Sequence, residues 1–273
     1  MSRVTARLPE YAKRPLRRLR DTLKDFAFAA GTARFCPVCR RTSRRFTPFG
    51  AVPRADARCI HCGSLERHRL LWLFMTDRTD LFDGLAKRVL HVAPEKCLEG
   101  KFKERLGDRY LSADLFNPRA MVRMDITDIK YDDETFDVIY CSHVLEHVPD
   151  DRKAMRELYR VLKRTGWAIL LVPISAAQRT FEDPQIVDPA ERLRLFGQED
   201  HVRRYGPDYV DRLREAGFIV GTTHASDLTD GKGVIRMGLT AACGEIYFCT
   251  KHPESAPPGP GCVPGPRPDR DRH

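Results

Sequence analysis

The stretch Arg88-Val-Leu-His-Val-Ala-Pro-Glu95 decides how this chain is read. An apolar run ends there at a turn and passes straight into a helical pattern over Lys96–Leu106. A buried strand, a tight turn and a helix form the opening unit of a doubly wound α/β domain, which binds nucleotides at the carboxyl end of that strand. About twenty residues on, Tyr110-Leu-Ser-Ala-Asp114 ends a second strand with an acid, suited to accept both hydroxyls of a ribose.

Outward from this point, short apolar runs alternate with helical patterns. After Arg88–Ala93 the runs are Arg109–Ala113, Met121–Met124, Phe136–Cys141, Trp167–Val172, Phe218–Thr223 and Glu245–Thr250. Such alternation predicts a mostly parallel sheet covered on both faces. Arg156–Gly166 reads as an amphipathic helix closed by its glycine. Few residues separate Asp114 from Met121, whereas a parallel crossover normally needs a dozen or more. The helix usual at that place is therefore expected to be missing, or the third strand displaced.

Upstream, Cys36-Pro-Val-Cys39 and Cys59-Ile-His-Cys62 are two C-x2-C knuckles, and Gly63 follows the second where the backbone must curl. Four thiolates on two knuckles suit a closed, structural tetrahedral Zn²⁺ site. His61 and His68 lie nearby, but four cysteines already complete the shell. The spacing predicts a basic leader helix over 1–30, a zinc ribbon over 31–63 and a linking helix over 64–84. The main domain follows over 85–252, with a disordered Pro/Gly-rich tail over 253–273.

The net charge of +9 is uneven: residues 1–58 hold 15 Lys/Arg against 4 Asp/Glu. A module this basic suggests a polyanionic partner, RNA or an anionic membrane surface touched from outside; the plainer reading is a solvated face. In the leader, Leu16, Leu19, Leu23 and Phe26 recur at helical spacing, which fits a surface helix or one packed on its own domain. No apolar run approaches the roughly 18 residues of a membrane span. No secretory signal is evident, so a cytoplasmic protein is expected.

Taken together, Val89–Ala93, Asp114, Asp125, the Phe136–Val148 run and the Arg156–Trp167 run resemble a class I S-adenosylmethionine-dependent methyltransferase of the type-11 domain family. The front cysteines with Leu90-His-Val-Ala-Pro-Glu95 are also similar to a subgroup of unassigned bacterial methyltransferases with a zinc ribbon. The resemblance implies a Rossmann-like, seven-stranded, doubly wound sheet of order 3-2-1-4-5-7-6, the last-formed strand antiparallel. It implies S-adenosylmethionine as cofactor. His91, Ala93 and Glu95 would border its methionine part and Asp114 its ribose. Asp125 and Ile126 would frame the adenine, with Ser142 and His143 near the methyl group. The family turn is glycine-rich, whereas here Ala93 and Glu95 hold two of its glycine positions. Alanine can serve there, and Glu95 can meet the cofactor's ammonium group.

On the acceptor side, the long segment 175–216 carries Glu182, Asp183, His201, Arg203 and Tyr205 as candidate contacts. An oxygen or nitrogen acceptor benefits from a base near neutral pKa, for which His201 comes first and His143 second; the plain alternative for each is a structural role. His147 reads as structural and Cys141 as a packed thiol. The leading expectation is methyl transfer to an O or N atom of a small molecule. RNA methylation through the basic ribbon, and a non-catalytic scaffold with a degenerate cofactor turn, are the alternatives.

Overall fold

A computed structural model of the chain describes residues 28–50, 52–176 and 178–253, so the leader-helix and tail readings lie almost wholly outside it. The described residues fall into two compact units: 28–72 with 229–243, and 73–228 with 244–253. Among the described residues no helix is long and apolar enough to cross a membrane.

In the smaller unit, β1 (Arg34–Cys36) pairs antiparallel with β2 (Arg41–Ser43), and β3 (Thr47–Phe49) with β4 (Arg54–Arg58). Each cysteine pair sits at a turn beside these ribbons. Helix α1 (Glu66–Arg78) begins just after the second pair, and its Arg69 is fully buried. That guanidinium lies 4.2 Å over the Phe46 ring and donates to the carbonyls of Ala57, Ser64, Met237 and Gly238. Residues 229–243, assigned to the larger domain in the sequence reading, are thus tied into the first unit. Gly238 is required at this junction: its φ is +60°, and a Cβ there would lie 3.1 Å from both Arg69 and Phe46.

The larger unit is built on β5 (Val89–Val92), β6 (Tyr110–Asp114), β7 (Val122–Arg123), β8 (Phe136–Ser142), β9 (Leu162–Leu171), β12 (Ile219–Thr223) and β13 (Ile246–Thr250). Their order is β12-β13-β9-β8-β5-β6-β7, with β13 antiparallel to both neighbours and the rest parallel. In order of appearance this is the 3-2-1-4-5-7-6 arrangement. The Val89–Val92 strand is buried throughout, as a central strand covered on two faces must be. Helices α2 (Lys96–Leu106) and α3 (Asp151–Val161) follow β5 and β8. The long segment after β9 contributes β10 (Phe181–Glu182), α4 (Pro189–Phe196), β11 (Arg203–Arg204) and α5 (Tyr209–Glu215). Helix α6 (Gly231–Met237) belongs to the smaller unit.

Two local expectations are decided here. Between β6 and β7 there is indeed no helix. Asp114 Oδ1 accepts from the amides of Phe116 and Asn117, turning the chain tightly, and β7 pairs with β6 over only two residues. By contrast, the helix expected to close at Gly166 ends earlier, at Val161, and β9 starts at once with Leu162. Gly166 lies inside that strand. A Cβ there would come within 2.5 Å of the Asp137 carbonyl oxygen, so the glycine serves close strand approach rather than helix termination.

Candidate functional site

The tips of β8, β5 and β6 lie side by side at the carboxyl edge of the sheet. At the β5 tip Ala93 takes φ +50°, the left-handed conformation a glycine normally supplies, and its amide donates to the Ala113 carbonyl at 2.8 Å. His91 does not border the turn with its side chain. The imidazole is fully buried, with Nδ1 2.8 Å from the Tyr110 hydroxyl and Nε2 2.8 Å from Glu95 Oε2. Phe102 and Tyr140 pack around the same ring. Burial, with the Glu99 and Glu95 charges adding, pushes the Tyr110 phenol well up, so it stays protonated and donates to His91. His91 then donates from Nε2 to Glu95, whose Oε1 also accepts from the Tyr140 hydroxyl at 2.7 Å. The charged side chain in the glycine position is thereby tied through both carboxylate oxygens to His91 and Tyr140.

Asp114 ends β6 half-buried. Asp125 is exposed and its Oδ1 accepts from the amide and hydroxyl of Thr127, each at 2.8 Å, while the neighbouring Ile126 is buried. At the β8 tip the Ser142 hydroxyl is buried without a hydrogen-bond partner. His143 follows at φ +55°, held by its amide to the Leu171 carbonyl. A cavity of about 640 Å³ lined by Leu81, Lys87, Arg105 and Arg109 lies elsewhere in this unit, away from these tips.

The two candidate bases converge through a residue the sequence reading passed over. His143 Nδ1 lies 3.3 Å from Glu146 Oε1. Glu146 is buried and lies close to His147 and His201, whose rings meet edge to face at 4.7 Å between centroids. His201 is only 6% exposed, and burial lowers its pKa. The signal for Glu146 was its position in the run His143-Val-Leu-Glu-His147, where an acid between two histidines stands on the exit of a buried strand. Cys141, as expected, is fully packed, and burial raises its thiol pKa.

Of the proposed acceptor contacts, Glu182, Arg203 and Tyr205 are spent on structure. Arg203 donates to Glu182 and to the carbonyls of Leu145, Val148 and Pro149. Arg212 bridges Glu182 and Asp151, and Tyr205 donates to Asp151 at 2.6 Å. Burial alone would raise the Glu182 pKa, but the hydrogen bonds and charges of Arg212 and Arg203 outweigh it and hold the carboxyl down at about 2.

In the smaller unit the sulfurs of Cys36 and Cys62 lie 3.6 Å apart and those of Cys39 and Cys59 3.8 Å. Both separations far exceed a disulfide bond. A tetrahedral Zn²⁺ with sulfur at about 2.3 Å sets its ligands about 3.8 Å apart, so the cluster fits that ion. His61 turns instead to the Thr42 carbonyl, and His68 accepts from the Leu65 amide. Burial, opposed by a backbone hydrogen bond from Arg41 and joined by the Cys59 and Cys62 charges, pushes the Cys39 thiol up to about 11.

Residues 84–170 match the type-11 methyltransferase domain family. Over 110 residues the chain is 31% identical to 2-methyl-6-phytyl-1,4-hydroquinone methyltransferase 1 of Oryza sativa subsp. japonica, covering 37% of this chain and 33% of that one. It is 31% identical to 27-O-demethylrifamycin SV methyltransferase of Amycolatopsis mediterranei, covering 42% and 41%. The chain thus spans about a third to two fifths of the length of these curated relatives. Among solved structures, YcgJ of Bacillus subtilis aligns over 67% of this chain and 94% of its own, at 19% identity and a TM-score of 0.42. Residues 84–170 are thus similar to a methyltransferase domain, and they lie in a sheet whose strand order is the 3-2-1-4-5-7-6 arrangement of the Rossmann-like methyltransferase fold.

Proposed function

We propose that the protein transfers a methyl group from S-adenosylmethionine to an O or N atom of a small-molecule acceptor. One observation carries this reading: three adjacent strand tips end in a left-handed Ala93, an Asp114 and a buried, unpartnered Ser142 hydroxyl. These are a close backbone approach, an acid for a ribose and a polar atom awaiting a ligand, in the order a nucleoside cofactor needs. The bound cofactor supplies an electrophilic methyl group on a sulfonium, and the chain supplies alignment and proton removal. Ala93 lets the turn approach, Asp114 holds the ribose, and Asp125 and Ile126 border the adenine. Glu95, anchored by His91 and Tyr140, presents a negative edge at the methionine end.

His143 is the better-placed base. Its side chain is 32% exposed and Glu146 orients it through Nδ1, leaving Nε2 to take the acceptor proton, whereas His201 is enclosed. The small-molecule acceptors named for the relatives support this acceptor class. Titration calorimetry with S-adenosylhomocysteine tests the reading: one equivalent should bind, and no heat at millimolar ligand would instead support a non-catalytic scaffold.

The four cysteines, in this reading, hold a structural Zn²⁺. Exposed Arg40, Arg41, Arg44, Arg45 and Arg58 on the same unit make no ion pair among the described residues, which favours RNA as a second acceptor class. A gel shift with bulk RNA that weakens steeply with salt supports that alternative, and absence of a shift at low salt removes it.

A further inference from the structure

We propose that Glu146, His147 and His201 form a second metal site, for a divalent first-row transition-metal ion, at the tip of β8. One donor atom from each residue lies within 4.8 Å of the other two. An ion bound at about 2.1 Å from each needs donors roughly 3.0–3.4 Å apart, so small side-chain rotations close the shell. Two nitrogens and one carboxylate oxygen are a donor set that suits zinc, iron, cobalt and their neighbours rather than calcium or magnesium.

Two buried atoms point to a ligand. Glu146 Oε2 and His201 Nε2 have no hydrogen-bond partner, although Glu146 is 1% exposed and His201 6%. Buried polar atoms are otherwise almost always satisfied. A cation accepted by both would satisfy the two at once, along with the charge of the enclosed carboxylate.

The surroundings have the form of an outer shell around a metal. His201 Nδ1 lies 3.2 Å from the Phe196 carbonyl, which can only accept, so Nδ1 carries the proton and Nε2 presents its lone pair. His147 Nδ1 lies 3.2 Å from Asp200 Oδ2, which sets its tautomer in the same sense. Glu146 Oε1 is held by His143 Nδ1 at 3.3 Å. Every donor residue therefore has its second polar atom beside a polar partner, the arrangement that orients metal ligands. The backbone is laced as well. The Val202 amide donates to the Glu146 carbonyl at 2.9 Å, and Arg203 clasps the carbonyls on either side of Glu146 and His147. His147 is partly open and Asp200 is 71% exposed, so an ion has a path in.

Three protein donors leave coordination positions open. If the methyl-transfer reading above holds, an acceptor hydroxyl bound there would lose its proton more easily. Metal binding itself does not depend on that reading.

The test is a Co²⁺ titration of the full chain, freed of metal beforehand, followed by absorption spectroscopy and calorimetry. Two equivalents are expected. One should show the intense thiolate-to-cobalt charge-transfer band of the four cysteines, and the other only the weak d–d bands of nitrogen and oxygen ligation. His201→Gln and His147→Ala should each weaken the second equivalent by about tenfold or more and leave the thiolate-bound one unchanged. Melting curves of the metal-free variants report their folding. Should His201→Gln not fold, His147→Ala, at a partly exposed position, carries the comparison. A wild-type chain that shows no equivalent with the d–d bands of nitrogen and oxygen ligation overturns the proposal, as does such an equivalent that both variants retain. Because no S-adenosyl compound is present, its outcome is separate from the cofactor calorimetry.

Discussion

Two polar clusters in this protein contrast in how they are made. Cys36, Cys39, Cys59 and Cys62 come from two short knuckles in a unit whose strands are only three to five residues long. Such a unit has little apolar surface to bury, and on the proposed zinc reading a bound ion supplies much of its folding energy. Glu146, His147 and His201 come instead from the exit of a buried strand and a segment folded over it. Arg203 holds the backbone on either side of Glu146 and His147, and the Val202 amide donates to the Glu146 carbonyl. On the proposed reading, the ligand of the first cluster organises the chain, whereas in the second the chain organises the site.

The sharpest way to break this contrast is to remove the ligand of the first cluster. Cys59→Ser, or a strong chelator, should cost the smaller unit on the order of 10 kcal/mol of metal-coupled folding energy. Limited proteolysis within residues 28–72 should then become rapid, while the sheet unit keeps its melting transition. Next in size is Arg203→Met. Removing one member of a buried ionic network leaves Glu182 and Asp151 under-compensated and should destabilise the larger unit by about 3–5 kcal/mol in urea melts. The same network predicts a pH signature. The Glu182 carboxyl is depressed to about 2, so its stabilisation is present above the ordinary carboxylate range and is lost as pH falls from there toward 2. Arg203→Met should flatten that acid limb.

A smaller effect is expected at the β6 tip. Asp114→Ala should weaken S-adenosylhomocysteine binding by about ten- to a hundredfold, or roughly 1.4–2.8 kcal/mol, with little change in metal stoichiometry. Smallest of all, Ala93→Gly should raise stability by about 0.5–1 kcal/mol, since relief of the left-handed backbone outweighs the added freedom of the unfolded chain. Unchanged cofactor affinity in that variant would show that alanine already fills the glycine role.

What the sequence determined by itself was whatever depends on neighbours along the chain. The alternation of apolar runs specified the sheet, the two knuckles specified the cysteine cluster, and the short link after Asp114 specified a missing helix. Tertiary structure alone decided matters that turn on distant partners. Gly166 reads as a helix stop until the Asp137 carbonyl is seen beside it. Glu95 reads as a partner for the cofactor's ammonium group until His91 and Tyr140 are seen to hold it. Glu182, Arg203 and Tyr205 read as acceptor contacts until Asp151 and Arg212 pair with them, and Glu146 has no evident role until His201, far along the chain, comes to rest beside it. The physical reason is the same in each case. Periodicity and spacing record local backbone geometry, but the partner of a buried polar group is set by packing across the fold, which leaves no fixed interval in the sequence.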